Sequence, residues 1–190
     1  CFRAGEHIFK IGERLYLLNG ICARVFLAPN GEEIVLNYFH SGKMIGIYSE
    51  REQEVVEEFL AKTDCICYKI PCLQIETYIK GHHDFAYALL QEMAEEYWQQ
   101  LTFHIARTLG GGISVVGIAL KSLAIPQTDG SFLVDAIFTN VELSKYCGIH
   151  AVSVSRLLAQ LSKAHIIEKR PAGITIHEMS QLEEYINFEY

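Results

Sequence analysis

The chain has 190 residues, half of them apolar and 21% charged, and a net charge of −7 at neutral pH. These proportions fit an ordinary globular protein of one large or two small domains, long enough to bury a real core. The sequence contains no apolar run of about 18 residues and no signal peptide with a basic start and small-residue cleavage site, so no membrane helix is expected and the cytoplasm is the expected compartment.

The first residue is Cys1 rather than Met, and the sequence opens directly into what reads as a strand, so natural residues are expected ahead of it. Residues 2–48 are punctuated by Gly5, Gly12, Gly20, Gly31 and Gly42, with β-rich runs such as Arg24–Leu27 and Ile34–Phe39 between them. Asn30-Gly31 joins those two runs and predicts a hairpin, because a type I′ turn needs positive φ at both central residues. Strands at this spacing predict a β-sandwich or β-roll. A further strand is expected at Asp64–Ile70, where Cys65 and Cys67 alternate with Ile66 and Tyr68.

From about residue 83 to 108 the period changes. Ala86, Leu90, Met93 or Ala94, Tyr97, Leu101 and Ile105 recur at steps of three or four and mark one apolar face of a helix about 39 Å long. Such a helix either packs on its own β-domain or makes a coiled-coil-like contact with a second copy. Its length and single apolar seam favour the second reading. Gly110-Gly111-Gly112 should stop or hinge the helix. A phosphate-binding loop is disfavoured there, because a helix precedes the glycines and no Gly-Lys-Ser/Thr follows. Another helix is expected at about 114–124, ending near Pro126, and a turn at Thr128–Ser131 leads into the apolar Phe132–Val134.

The acidic balance argues against a nucleic-acid partner until it is divided along the chain. Within 139–173, Lys145, Arg156, Lys163, Lys169 and Arg170 face only Glu142 and Glu168, a local charge of +3 on a body of −10. A basic module on an acidic body is the layout of a protein that touches phosphates with one part only. The same segment begins with a capping box: the Thr139 hydroxyl can accept from the Glu142 amide while the Glu142 side chain reaches back. A short helix would then carry Val141, Leu143 and Tyr146 inward, with Gly148 supplying a left-handed turn. A second helix at about 151–164 would bury Val154, Leu157, Leu158 and Leu161. Ile166–Glu168, Pro171–Gly173 and Ile174–Ile176 read as two strands around a turn, a wing.

In a helix-turn-helix the N-terminal residues of the second helix meet base edges in the major groove. The candidate DNA-reading residues are therefore His150, Ala151, Val152, Ser153, Ser155 and Arg156. Thr139 at the head of the first helix and Lys169 and Arg170 on the wing join them. Arg156 can pair with guanine or clamp a phosphate; Ala151 and Val152 offer only apolar contact, which suits thymine methyl groups and predicts an A·T-rich operator.

On these motifs the chain resembles the Crp/Fnr superfamily of bacterial regulators. Phe2–Phe9 followed by Gly12-Glu13 resembles the family's opening β-roll motif, and Asn30–Ile34 and Gly42–Gly46 resemble its middle. Leu143–Gly148 and Val152–Leu161 resemble its helix-turn-helix, the most specific stretch. The resemblance runs over nearly all 190 residues in the same order. It implies an α+β chain with an N-terminal β-roll like that of cyclic-nucleotide-binding domains (1–81), a dimerisation helix (82–109) and a C-terminal winged helix-turn-helix (110–190) hinged at 110–112. It also implies a homodimer that binds a palindrome in double-stranded DNA, contacts RNA polymerase and responds to a small-molecule effector, most often as an activator.

Three departures qualify the resemblance. The stretch between Gly12 and Gly20 is shorter than the family's, so one hairpin is expected to be shortened. Cyclic-nucleotide-binding members carry an Arg-Ser/Thr-Ala signature where this chain reads Glu50–Glu58, with five glutamates against Arg51, a stretch that would repel a phosphate. Members that read the best-known GC-containing half-site place Arg-Glu where Ala151-Val152 stand. Gly148–Arg156 is similar to the halorespiration regulators that sense chlorinated aromatic compounds. The expected effector is thus a neutral or weakly acidic aromatic rather than cyclic AMP. Its expected pocket lies between Met44, Ile45, Gly46, Ile47 and Tyr48 and the long-helix residues Tyr97, Gln100, Leu101 and His104.

The six cysteines are spaced unlike a secreted disulfide framework and are expected to be reduced. Cys65, Cys67 and Cys72 could hold zinc or an iron–sulfur cluster with Cys1 or Cys22, or act as a redox switch. Burial of Cys65 and Cys67 as small hydrophobes on one strand face is the favoured reading. His82-His83 could be metal or haem ligands but read better as solvated or capping residues, so no metal is assigned. No catalytic motif appears, and the chain is not expected to be an enzyme. The competing class is a β-barrel enzyme or small-molecule binder with an accessory helical domain.

Overall fold

A computed structural model describes residues 1–8, 13–27, 33–46 and 57–186. The chain divides into two compact units, Cys1–Met93 and Ala94–Tyr190.

The first unit rests on two antiparallel three-stranded sheets. One has the order β4-β1-β6, from β1 (Glu13–Asn19), β4 (Met44–Ile45) and β6 (Ile66–Pro71); the other is β3-β2-β5, from β2 (Cys22–Leu27), β3 (Glu33–Phe39) and β5 (Glu57–Ala61). Consecutive strands β1 and β2 fall in different sheets, and the turn between them needs Gly20. Its φ is 104°, and an added Cβ would sit 2.5 Å from the Asp64 carbonyl oxygen. β2 and β3 pair from Cys22↔Phe39 to Leu27↔Glu33, as a hairpin requires; the Asn30-Gly31 turn itself lies outside the described residues. Leu15, Leu17 and Ile45 from one sheet meet Cys22, Phe39, Phe59 and Ala61 from the other in a single core. The β-roll expected from the alternating runs is present.

Along β6 the period of two is plain: Cys65 is buried and Cys67 half-buried, while Ile66 and Tyr68 stay exposed. Burial pushes the Cys22, Cys65 and Cys67 thiols up from their usual range, as desolvation disfavours the thiolate. Among the described residues no group of three or more His, Cys, Asp or Glu side chains could hold a metal ion. The strand is followed by a helix absent from the sequence-based expectation, α1 (Cys72–Gly81), which buries only Ile75. His82, between α1 and the next helix, and His83, the first residue of that helix, are both exposed, and His82 stacks on Tyr78 at 4.7 Å between centroids.

That next helix, α2 (His83–Leu109), is continuous over 27 residues, about 40 Å. Its buried side chains are Leu89 in the first unit and Phe103 and Ala106 in the second. The apolar face read from the sequence is a different one: Leu90 is 60% and Tyr97 63% exposed in the single chain. Among the described residues no helix is long and apolar enough to cross a membrane.

In the second unit α3 (Gly112–Leu123) is buried without a break from Ser114 to Leu120 and forms the centre. α4 (Asn140–Cys147) and α5 (Ala151–Lys163) pack on it, and α6 (Met179–Glu183) closes it through the buried Leu182. A four-stranded antiparallel sheet of order β7-β8-β10-β9 completes the unit, from β7 (Ile125–Pro126), β8 (Phe132–Asp135), β9 (Ile167–Arg170) and β10 (Gly173–Ile176). The expected wing is the β9–β10 pair, extended by β8 and β7.

The wing turn depends on Gly173. Its φ is 139°, and a Cβ would lie 2.0 Å from the Val134 carbonyl oxygen and 2.9 Å from the Ala136 nitrogen, both backbone atoms. Gly173→Ala is expected to destabilise the second unit by more than about 3 kcal/mol, read as a lower denaturation midpoint. An unchanged midpoint would show that the strand can shift to make room.

Candidate DNA interface

The helix-turn-helix is assembled by its caps. Thr139 is the N-cap of α4, and its hydroxyl accepts from the Glu142 amide at 3.2 Å, satisfying one of the orphan donors of the first turn. Gly148 ends α4 in the left-handed region at φ 68°, and its amide returns to the Ser144 carbonyl at 2.9 Å. Two residues later His150 caps α5, its Nδ1 accepting from the Val152 amide at 3.3 Å. His150 therefore has a structural task at the helix start.

The rotation of α5 is set by its inner side. Val154, Leu158 and Leu161 are fully buried, and Leu157, expected to be buried with them, is half-buried. Val152, which is 70% exposed, and Arg156 are left on the opposite side. Ala151, Ser153 and Ser155 are half-buried and flank that outward stripe. Ala159, Gln160 and Lys163 continue it at helical spacing and are all exposed. Gln160 and Lys163 were not among the sequence-derived candidates; the steps of four and seven from Arg156 were the signal that could have found them.

The electrostatics suit a polyanion. The first turn of α5 holds no acidic residue, so the positive end of its dipole is uncompensated where Val152 stands, and Lys163 lies in the last turn. On the wing, Lys169 is exposed, and Arg170 is exposed but tied to Glu168 at 2.7 Å. That pair holds the Glu168 carboxyl below its usual range and raises Arg170. His177 stands 3.6 Å from the same carboxylate.

The residues expected to meet an effector fall in both units. In the first, Met44 and Ile45 form β4 and are buried, Gly46 follows them at φ 82°, and the Met44 amide donates to a Glu92 carboxylate oxygen at 3.2 Å. Ile47 and Tyr48 lie outside the described residues, as do Glu50–Val56. In the second unit Tyr97 and His104 are exposed on α2 and Gln100 and Leu101 half-buried.

Two outcomes test this geometry. Arg156→Ala is expected to weaken binding to a selected operator by about 1–3 kcal/mol and to relax preference at one base position, measured by fluorescence anisotropy on a panel of single-base variants. Cys147, buried beside the turn, is pushed up to about 12 from 9.0, first by desolvation, with Arg107 opposing. Since the fold holds the neutral thiol, this contribution to stability is intact below pH 9.0 and lost as pH rises toward 12. Native Cys147 should therefore resist iodoacetamide at pH 8 and react only after unfolding, as read by mass spectrometry. Alkylation as fast as that of exposed Cys1 would contradict the burial.

Residues 119–185 match the family of Crp-like helix-turn-helix domains. A global nitrogen regulator from Synechocystis sp. is 26% identical over 173 residues, covering 87% of this chain and 76% of the relative. The structure of FixK2 from Bradyrhizobium japonicum aligns with a TM-score of 0.81 at 16% identity, covering 100% of this chain and 96% of that one. A CprK variant complexed with OCPA aligns at 0.70 and 15%, covering 96% and 86%. Residues 119–185 thus carry a Crp-like helix-turn-helix domain, and the chain as a whole shares the fold of these solved proteins.

Proposed function

We propose that this chain is a DNA-binding transcription regulator of the Crp/Fnr type, which binds a palindromic, A·T-rich operator as a homodimer in the cytoplasm and activates transcription through RNA polymerase when a small-molecule effector is bound. The observation that carries the reading is the outward stripe of α5, where Val152 and Arg156 stand together beyond a capped helix start. Val152 and the neighbouring Ala151 have no polar atom to offer a base edge, so their contribution is apolar and favours thymine methyls. Arg156 supplies the one cation of the reading turn. Thr139, Ser153, Ser155, Lys169 and Arg170 then serve the flanking phosphates, and His150 sets the helix start.

The dimer reading rests on α2. Tyr87, Leu90, Ala94, Tyr97, Leu101, His104 and Thr108 follow one another at alternating steps of three and four, the spacing of a two-stranded seam. Leu90 and Tyr97 are at least 60% exposed in one chain, a large apolar cost unless a second copy covers them. Tyr97, Leu101 and His104 belong to this seam, so an effector reached through them would be felt by both copies.

The effector is a neutral or weakly acidic aromatic molecule. The glutamate-rich Glu50–Glu58 is a poor cradle for a cyclic phosphate. The residues expected to meet the effector, Met44, Ile45, Gly46, Ile47 and Tyr48 with Tyr97, Gln100, Leu101 and His104, are mostly apolar or aromatic in kind, as a site for such a ligand requires. The similarity of Gly148–Arg156 to the halorespiration regulators points to a chlorinated aromatic.

Selection from random duplexes should yield an inverted repeat rich in A·T pairs, with affinity falling steeply as salt rises. A GC-rich selected site would sink the reading of Ala151 and Val152. Leu90→Glu and Tyr97→Glu should each shift the protein to monomer in analytical ultracentrifugation and reduce operator affinity at least tenfold, because a half-site alone is held weakly. A thermal-shift screen should give stabilisation by halogenated phenols; stabilisation by cyclic AMP alone would refute the effector assignment.

A further inference from the structure

The last turns of α2 hold one partner. Gln99, Phe103 and Arg107 stand at successive steps of four and form a single stripe on the helix. Gln99 Nε2 donates to the Tyr146 hydroxyl at 3.3 Å, Phe103 packs its ring on Tyr146 at 4.7 Å between centroids, and the Arg107 guanidinium donates to the backbone carbonyls of Tyr146 and, at 3.3 Å, Cys147. The guanidinium also lies over the Phe103 ring, 5.2 Å from its centroid. All these residues lie in the second unit.

The two carbonyls are the end of α4. They belong to the last residues before Gly148, where a helix leaves its carbonyls unpaired and its dipole negative, so a guanidinium there is both a donor and a matched charge. α5 begins three residues beyond Gly148, with His150 as its cap. Nothing in this chain of contacts passes through Gly110–Gly112.

From this geometry we infer that Arg107 is a positioning residue for the recognition helix: it fastens the end of the long helix to the helix-turn-helix turn and so fixes the angle at which α5 is presented to DNA. The inference rests on the DNA-reading assignment of α5. Arg107 itself is not a DNA contact. Its two donors act on two successive carbonyls, a geometry that the single ammonium of a lysine does not reproduce.

The test compares the full-length wild type, Arg107→Gln and Arg107→Lys on a selected operator and on a scrambled duplex, at a temperature where circular dichroism shows all three folded. For Arg107→Gln, operator affinity is expected to fall about tenfold while scrambled-duplex affinity and the salt slope stay at wild-type values. Arg107→Lys, which keeps the charge beside the α4 terminus, should fold like the wild type and recover only part of the loss.

Parallel losses on both duplexes would reduce Arg107 to a general packing residue and overturn the proposal. A salt slope smaller by about one would make it a phosphate contact, with the same consequence. Unchanged operator affinity in both variants would also overturn it. Should Arg107→Gln not fold, the Arg107→Lys comparison decides alone. A wild type that selects no sequence would instead refute the DNA-reading assignment itself.

Discussion

The second unit is organised around one buried phenol. Tyr146 is 1% exposed, and a hydroxyl in that position costs about 1–3 kcal/mol if left without a partner. Here it meets Ser122 Oγ at 3.2 Å on α3 and Gln99 on α2, and burial drives its pKa to about 12. Two helices thus converge on a side chain that belongs to a third, the first helix of the helix-turn-helix. Once Tyr146 is seated, α4 has one position on α3, and the short turn through Gly148 leaves α5 little choice of its own. The apolar side of α5 then completes the core, and the exposed stripe follows by geometry.

The long helix plays two parts that a single sequence period conceals. Steps of three and four along 86–105 are legible in the sequence, but the periodicity does not say which side faces inward. Leu89, Phe103 and Ala106 are the ones buried within the chain, whereas Leu90 and Tyr97 are left outside. A helix with apolar residues on two sides can serve two interfaces: one within its own subunit and, on the dimer reading proposed above, one for a second copy. The first was hidden because its stripe is interrupted by polar residues such as Gln99, whose amide is used on Tyr146 rather than on water.

Much of the helix-turn-helix could be read from residues alone, because caps and turns are written in local chemistry. Thr139, Gly148 and the spacing of Val154, Leu158 and Leu161 each act within a few positions. What was missed is less local. α1 escaped because its helical spacing, Ile75, Tyr78 and Ile79 at i, i+3 and i+4, runs over only ten residues, and only Ile75 is buried. Strands β7 and β8 extend the wing through pairings such as Ile174↔Val134, which link residues forty apart and leave no pattern in either segment. His150 was read by its place before the groove, whereas its ring nitrogen closes the helix start. Nothing local in the sequence sets Arg107 apart from other cations, because its two carbonyl partners lie about forty positions away.

On α5 the inward and outward residues are disjoint sets. Val154, Leu158 and Leu161 carry the packing; Val152, Arg156, Gln160 and Lys163 carry none of the buried core. On the proposed DNA-reading assignment, recognition and folding draw on separate positions of the same thirteen-residue helix. A lineage of such proteins can exchange one operator for another by substitutions that leave the scaffold untouched, and its promoters can diverge faster than its folds.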